Sequence, residues 1–191
     1  MDAFLLSFGV IFLAELGDKS QLMALAFATR FPAIPVLIAI SIATAIVHLG
    51  SVALGATVAL ALPTNVIAIV AGLAFLAFAA WTLRGDELGQ DDEAKARRET
   101  TGSVIVTVGT AFFIAELGDK TMLATITLAT NHGALGTWLG STAGMVAADA
   151  LAISVGKVIG TRLPERAIRI GAAVAFVVFG LILIAQGLRP A

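Results

Sequence analysis

A short run of charged and polar residues occurs twice in this chain, each time inside a long apolar segment. The first copy is Glu15-Leu16-Gly17-Asp18-Lys19-Ser20 and the second is Glu116-Leu117-Gly118-Asp119-Lys120-Thr121. Ionised side chains are costly in an apolar environment and are seldom retained there without a function. Two carboxylates per copy supply hard oxygen ligands, the donors preferred by Mg²⁺, Ca²⁺ and Mn²⁺. The motif therefore predicts a site for a divalent cation.

The spacing within each copy predicts how these side chains would lie on a continuous helix. Glutamate and aspartate are three residues apart, so both carboxylates would share one face, and the lysine four residues after the glutamate would form an intrahelical ion pair. The glycine would allow close packing or local unwinding, which would free backbone carbonyls as further ligands. The same charges could instead only pair with one another between helices, but the acidic excess at two equivalent positions favours a site.

The composition places these segments in a membrane. Hydrophobic residues make up 59% of the 191 residues, charged residues 13%, and the mean hydropathy is +0.99. A soluble domain has about twice that share of charge. The net charge of −1 offers no basic excess for nucleic acid, and the absence of cysteine excludes disulfides, thiolate metal sites and cysteine catalysis. We expect an all-α integral membrane protein.

Six apolar segments are each long enough to cross a bilayer, which takes about 20 residues. They cover approximately residues 3–29, 34–61, 65–83, 102–130, 134–161 and 167–188. Three short connections leave room only for antiparallel neighbours, whereas one charged stretch separates two halves. The predicted organisation is six transmembrane helices in two three-helix repeats, at 1–84 and 102–191, joined by a charged linker at 85–101.

The two halves match each other at a constant offset of 101 residues. Without a gap, this offset pairs Glu15 with Glu116, Phe12 with Phe113, Gly55 with Gly156 and Phe75 with Phe176. Because each half has three spans, the second half must begin on the opposite side of the membrane. This arrangement is an inverted repeat, from which many secondary transporters build alternating access around a site at the membrane midplane.

Basic residues beside the spans predict the orientation, since Lys and Arg are concentrated on the cytoplasmic side. With the N-terminus outside, only Arg189 lies on the outer side. The other nine flanking basic residues then lie at or near the cytoplasm: Arg30, Arg84, Lys95, Arg97, Arg98, Lys157, Arg162, Arg166 and Arg169. We therefore expect both termini outside and the 85–101 linker in the cytoplasm. The short chain without an added targeting segment favours a prokaryotic cytoplasmic (inner) membrane.

Four residues outside the motif are further candidates for ligands or proton carriers at the site. The offset pairs His48 with Asp149, near the centres of the second and fifth spans. Asp149 could add a ligand or proton site and His48 a proton acceptor, although a histidine in a span is often only hydrogen-bonded to a neighbouring helix. Gln21 and Met122 follow the motif aspartates by three residues. The thioether could shift a site from Ca²⁺ towards Mn²⁺, but a packing role for Met122 is favoured.

Three glycines at four-residue spacing, Gly136, Gly140 and Gly144, are typical of a close helix–helix contact. That contact could lie inside the monomer or at the interface of a homodimer. The sequence does not distinguish the two.

The duplicated motif and the predicted spans resemble the Golgi-type manganese/calcium–proton antiporter family, including bacterial MneA-like manganese exporters. Both copies satisfy every fixed position of the pattern E-x-G-D-[KR]-[ST], and the resemblance covers nearly the whole chain. It implies that Mn²⁺ or Ca²⁺ leaves the cytoplasm in exchange for protons. It also implies that Glu15, Asp18, Glu116 and Asp119 are metal ligands or proton carriers, with Ser20 and Thr121 supporting them.

Other residues near the motif are assigned supporting or proton-coupling roles from their positions alone: Lys19, Gln21, Lys120, Met122, Asp149 and His48. We expect a secondary transporter, not an enzyme, with no cofactor, whose partners are the divalent ion and the lipid bilayer. One alternative is an exporter of small polar or amino-acid solutes with a related six-span fold, and another is a passive cation channel. A metal-dependent membrane enzyme is disfavoured because the sequence has no sizeable extramembrane domain, His cluster or nucleotide motif.

Overall fold

The computed structural model describes residues 2–84, 103–159 and 165–189. Within these ranges the chain forms eight α-helices and no β-strand, as the all-α prediction requires. In chain order the helices are α1 (Asp2–Glu15), α2 (Lys19–Arg30), α3 (Ala33–Ala61), α4 (Thr64–Arg84), α5 (Val104–Glu116), α6 (Lys120–Asn131), α7 (Ala134–Ile159) and α8 (Glu165–Gly187). The predicted 85–101 linker lies outside the described residues.

Four of the described helices contain apolar stretches long enough to cross a bilayer: Ala33–Ala61, Thr64–Arg84, Ala134–Gly156 and Ile170–Gly187. Large apolar side chains point outward from the bundle. For example, Leu60 is 91% exposed, Ile34 73% and Val106 66%. Soluble proteins rarely expose such extensive apolar surface, so the surrounding medium is lipid. The chain is an integral membrane protein.

Two of the six expected spans are interrupted helices, so of the two possibilities that the sequence left open at the motif glycine, close packing or local unwinding, the structure has the unwound form. The segment predicted at 3–29 forms α1 and α2, and the segment predicted at 102–130 forms α5 and α6. Both breaks fall within the motif. α1 has 14 residues and α2 has 12, about 21 and 18 Å of helix. Neither alone crosses a hydrocarbon core of about 30 Å.

α1 and α7 pack in parallel through the glycines of α7. A Cβ atom on Gly140 would overlap the Phe4 carbonyl oxygen, and one on Gly144 would lie 2.6 Å from the carbonyl oxygen of Phe8. Since the residue numbers on the two helices increase together, α1 and α7 run in the same direction. The glycine repeat therefore serves a contact inside the monomer, which settles the question that the sequence left open.

α4 and α8, which correspond to each other at the 101-residue offset, pack antiparallel. A Cβ atom on Gly72 would lie 2.6 Å from the carbonyl oxygen of Gly180, and one on Gly187 would lie 2.7 Å from that of Asn65. Here the residue number on one helix falls as the other rises. Two corresponding helices of the two halves thus run in opposite directions.

The helix breaks lie at the boundary between two buried apolar clusters. In the first half, Ala14 before the break belongs to one cluster and Met23 after it belongs to the other. In the second half the order is reversed, with Phe112 before the break and Ala124 after it. Each broken helix pair therefore leads from one cluster to the other, and the polar motif lies at the crossing.

Candidate metal centre

Each motif forms a tight turn between two short helices. In both copies the backbone N–H of the aspartate donates to the carbonyl of the glutamate, at 3.0 Å in the first copy and 3.2 Å in the second. Gly17 and Gly118 have φ values of 77° and 80°, and Leu117 has φ −66° and ψ 114°. These are the dihedrals of a type II turn, whose third residue must have positive φ and is usually glycine. The glycine therefore ends the helix at each glutamate.

Replacing Gly118 with alanine tests this turn. Nothing lies within 4 Å of a Cβ atom at Gly118, so the expected loss of about 1–2 kcal/mol comes from the left-handed backbone conformation alone. Gly133 is a matched control because its Cβ would also meet nothing within 4 Å and its φ is not positive. Thermal unfolding in detergent should show Gly118→Ala melting below Gly133→Ala. Equal melting temperatures would contradict a strained turn at Gly118.

The breaks rearrange the ion pairs that the sequence predicted. Lys120 Nζ contacts the Asp18 carboxylate, and Lys19 Nζ lies 3.0 Å from Asp119 Oδ1. The predicted glutamate-to-lysine pairs within each copy are wrong, because the glutamate ends one helix and the lysine begins the next. The expectation that both carboxylates share one helix face fails for the same reason. Each lysine pairs instead with the aspartate of the other half.

The two cross-half ion pairs differ in their exposure. The side chain of Lys19 is 27% exposed, whereas that of Lys120 is 4% exposed. The aspartate of each pair is 1% exposed or less. Charges that are removed from solvent interact more strongly and cost more to separate. Removing either lysine would leave a buried aspartate, but only the Lys120–Asp18 pair has both partners buried, so its disruption is expected to cost more.

The two glutamates each accept a hydrogen bond from the hydroxyl that ends their own motif. Ser20 Oγ donates to Glu15 Oε2 at 2.6 Å, and Thr121 Oγ1 donates to Glu116 Oε2 at 3.0 Å. Ser20 Oγ also lies 3.2 Å from Asp18 Oδ2. The second oxygen of each glutamate, Oε1, is buried and has no hydrogen-bond partner among the described residues. Each glutamate thus offers one oxygen to an ion or a proton.

Three of the four predicted ligands converge closely enough to hold one ion. One oxygen from each of Glu15, Asp18 and Asp119 lies within 4.8 Å of the other two, and all three residues are buried. Glu116 is outside this group of three but interacts electrostatically with Asp119 and Asp18. The structure thus brings carboxylates of both halves together and places the fourth beside them. Their role as ligands remains a prediction.

Asp149 and His48, the two titratable residues predicted on the long spans, lie in different surroundings. Asp149 on α7 is fully buried, and neither carboxylate oxygen has a hydrogen-bond partner among the described residues. It interacts electrostatically with Glu15 and Asp18. His48 on α3 is also buried, and its Nδ1 lies 3.5 Å from Thr142 Oγ1. No carboxylate among the described residues interacts electrostatically with it. Asp149 therefore borders the carboxylate group, whereas His48 as a proton acceptor stays a prediction.

Gln21 and Met122 both accept the backbone N–H of the turn glycine. Gly17 donates to Gln21 Oε1 at 2.8 Å, and Gly118 donates to Met122 Sδ at 3.1 Å. Gln21 Nε2 also donates to the Ala148 carbonyl at 2.8 Å, which ties α2 to α7. These side chains hold the turns in place, and this contact supports a structural role for the Met122 thioether. The sequence indicated that the two positions correspond but not what they contact.

Buried carboxylates at breaks in the helices of an apolar bundle are typical of membrane transporters for ions. Comparison with known proteins makes this class specific. The family model described as "Divalent cation/proton antiporter GDT1" matches residues 3–90 and, separately, residues 104–191. The chain belongs to this family of divalent cation/proton antiporters.

Individual relatives agree with the family. A Vibrio cholerae protein named "Putative manganese exporter" is 34% identical over 184 residues, which cover 95% of this chain and 90% of that protein. The chloroplastic protein PAM71 of Arabidopsis thaliana is 30% identical and matches 94% of this chain over 56% of its own length. A GDT1-like protein of Synechocystis is 27% identical, with 95% of this chain and 96% of that protein covered. No solved structure gives a significant match.

Family membership confirms the resemblance drawn from the duplicated motif. It establishes divalent cation/proton antiport as the function and a transporter rather than an enzyme as the class. The divalent ion and the lipid bilayer are therefore the partners that the function requires.

Proposed function

We propose that this protein exports Mn²⁺ from the cytoplasm in exchange for protons, with Ca²⁺ as the second candidate substrate. The observation that carries the proposal is the convergence of Glu15, Asp18 and Asp119 from the two halves. Carboxylate oxygens suit both ions, and the chain has no cysteine that would favour softer metals. The Vibrio cholerae relative, named as a putative manganese exporter, supports manganese.

The ion would be held by the three converging carboxylates and by groups beside them. Glu116 and Asp149 keep buried oxygens without a hydrogen-bond partner among the described residues, so both are available as further ligands. α1 and α5 also end at the site, and the last turn of a helix leaves backbone carbonyls without helical partners. Broken helices in transporters use such carbonyls to coordinate cations. The donor set is oxygen throughout, as a hard divalent ion requires.

Proton exchange follows from the charge of the site. The four motif carboxylates and two lysines carry a net charge of −2, which one divalent ion balances. When the ion leaves, the lysines still neutralise Asp18 and Asp119, but Glu15 and Glu116 remain as buried carboxylates. A buried charge without a partner is unfavourable, so protons replace the metal. Binding of the next ion then expels those protons.

The proposed architecture is a six-crossing inverted repeat in which α1 with α2, and α5 with α6, each make one broken crossing. Two observations support it: the family model matches each half separately, and the corresponding helices α4 and α8 run antiparallel. Such a repeat exposes a central site to each side in turn. Positive flanking residues favour both termini outside and a cytoplasmic 85–101 linker, in a prokaryotic inner membrane.

Two other transport mechanisms are weaker candidates. An exporter of amino acids or other small polar solutes would need room for the solute, whereas three carboxylates within 4.8 Å suit a single ion. A passive channel would not need proton acceptors beside the ion site. A resident cofactor is not part of the proposal. The glycine repeat is used between α1 and α7 and so offers no support for a homodimer.

Transport by the purified protein in proteoliposomes tests the proposal. Mn²⁺ uptake and luminal pH would be followed together, with and without a pH gradient, at a clamped membrane potential. We expect an acidic lumen to drive Mn²⁺ inward against its concentration gradient while the lumen becomes more alkaline, and protein-free liposomes to show neither change. Mn²⁺ flux that ignores the pH gradient would indicate a channel. Absence of Mn²⁺ and Ca²⁺ flux in folded protein would favour a solute exporter.

A further inference from the structure

Three hydroxyl side chains are buried in the α1–α7 region without a hydrogen-bond partner. Ser7, Thr137 and Ser141 are each 0% exposed, and their hydroxyl oxygens have no partner among the described residues. Several other hydroxyls in the bundle bond to the carbonyl four residues back, as Ser154 does at 2.7 Å in α7 and Ser51 does at 2.8 Å in α3. Two further described hydroxyls, those of Thr82 and Thr125, are buried without a partner but lie on other helices. A buried hydroxyl without a partner is unfavourable. A hydrogen bond to water, or contact with an ion, would satisfy these three hydroxyls.

These hydroxyls continue a polar row that leads to the carboxylates. Thr137, Ser141, Met145 and Asp149 follow one another at four-residue steps along α7, and each is fully buried. Successive positions at this spacing lie one above the other on a helix. At Met145, the third residue of the row, Thr44 of α3 donates a hydrogen bond to the Met145 Sδ atom at 3.3 Å. Polar atoms thus occur at each turn between the start of α7 and Asp149.

Ser7 lies on the helix that packs along this row. It follows Ala3 by one turn, and a Cβ atom on Gly136 would lie 2.8 Å from Ala3 Cβ. It also precedes Phe8, which Gly144 contacts. Because α1 and α7 run in parallel, both helices begin at the same face of the membrane. The row therefore leads from that face towards the ion site.

The corresponding positions in the other half are entirely apolar. At the 101-residue offset, Ser7 corresponds to Val108, Thr137 to Val36 and Ser141 to Ile40. These three residues are each 0% exposed and belong to one continuous apolar cluster. The two halves thus share the ion-binding motif but differ in the two helical turns nearest the membrane face. An internal repeat alone would make these turns alike.

We propose that Ser7, Thr137 and Ser141 line a hydrated access path from the face where α1 and α7 begin. The proposal rests on the proposed antiport function, because it assigns one of the two access routes of that cycle. Hydrating a surface of hydroxyls is far less costly than hydrating one of valine and isoleucine. The symmetric route through Val36, Ile40 and Val108 is therefore the harder of the two to hydrate.

Single-cysteine labelling tests the path directly, since the natural chain has no cysteine. The variants are Thr137→Cys and Ser141→Cys, with Val36→Cys and Ile40→Cys as matched controls at the corresponding positions. Each would be reconstituted without metal and treated from one side or the other with a membrane-impermeant, positively charged methanethiosulfonate. Labelling of the unfolded protein by a maleimide gives the total reactive thiol, and size-exclusion chromatography identifies variants that fail to fold.

We expect cysteines at 137 and 141 to react from one side only, and at least about tenfold faster than those at 36 and 40 from either side. Equal rates at corresponding positions, or no reaction at 137 and 141 from either side, would overturn the proposal. If only one of Thr137→Cys and Ser141→Cys folds, its labelling rate is compared with that of its own control, Val36→Cys or Ile40→Cys, and the same criterion applies.

The labelling result is independent of transport. A chain that labels as expected but does not exchange Mn²⁺ for protons would refute the proposed function and leave the path standing. A chain that transports but labels equally at both sets of positions would refute the path alone. Replacing Ser7 with alanine adds a functional readout: we expect slower Mn²⁺ exchange with unchanged equilibrium binding of Mn²⁺, because Ser7 is not a ligand.

Discussion

Replacing Glu15 with glutamine is expected to lower proton-driven Mn²⁺ transport by more than about 100-fold, since loss of even an outer-shell group costs about 10–100-fold in metal affinity. Glu15 belongs to the group of three converging carboxylates and has one oxygen without a hydrogen-bond partner among the described residues. Glutamine keeps the size and can still accept the Ser20 hydrogen bond, but it removes both the charge and the proton site. Mn²⁺ flux in proteoliposomes and equilibrium Mn²⁺ binding measure the two losses separately.

Two other variants sharpen this comparison. Asp2→Asn changes an exposed acid at the start of α1 and should transport like the natural protein. Glu116→Gln should also abolish transport, but it should weaken equilibrium binding less than Glu15→Gln, because Glu116 lies outside the group of three. If Glu15→Gln and Glu116→Gln weaken Mn²⁺ binding equally, the asymmetric site is incorrect. Normal transport by Glu15→Gln would remove this glutamate from the mechanism altogether.

Replacing Lys120 with methionine is expected to give the largest loss of stability. The side chain of Lys120 is 4% exposed and pairs with Asp18, whose side chain is 0% exposed. Removing one partner of a buried ion pair costs about 3–5 kcal/mol, which lowers the melting temperature by about 6–20 °C in a chain of this size. Lys19→Met is the matched control. Its side chain is 27% exposed, so this pair is the weaker of the two, and we expect a clearly smaller decrease.

A second substitution separates the charge effect from the loss of packing. Adding Asp18→Asn to Lys120→Met removes the stranded carboxylate, and most of the lost melting temperature should return. Saturating Mn²⁺ should also stabilise Lys120→Met more than the natural protein, because the metal replaces the missing ammonium. Both readouts come from thermal unfolding in detergent. Equal melting temperatures for Lys120→Met and Lys19→Met would show that burial does not distinguish the two pairs.

The broken helices show how far local sequence patterns reach. Apolar composition and the charged connections identified the membrane segments, but hydropathy does not register a turn of two residues. The relevant signal was the glycine between glutamate and aspartate, whose φ of 77° or 80° no continuous helix allows. Glycine also occurs inside intact helices, as Gly140 does in α7, so its presence alone did not predict a break. The intrahelical ion pairs failed with the continuous helix on which their spacing depended.

The sequence by itself determined the membrane class and the family, because these depend on residue types and on a repeat that spacing alone reveals; the ligand roles of the motif residues are still predictions. Only the tertiary structure decided which charges meet. Lys120 and Asp18 are 102 positions apart in the chain, so their contact depends on how the two halves pack. Packing also determines that the group of three converging carboxylates includes Glu15 but not Glu116. It likewise determines that the polar row of α7 is buried in the bundle. An internal repeat specifies corresponding residues, whereas packing determines which of them are neighbours.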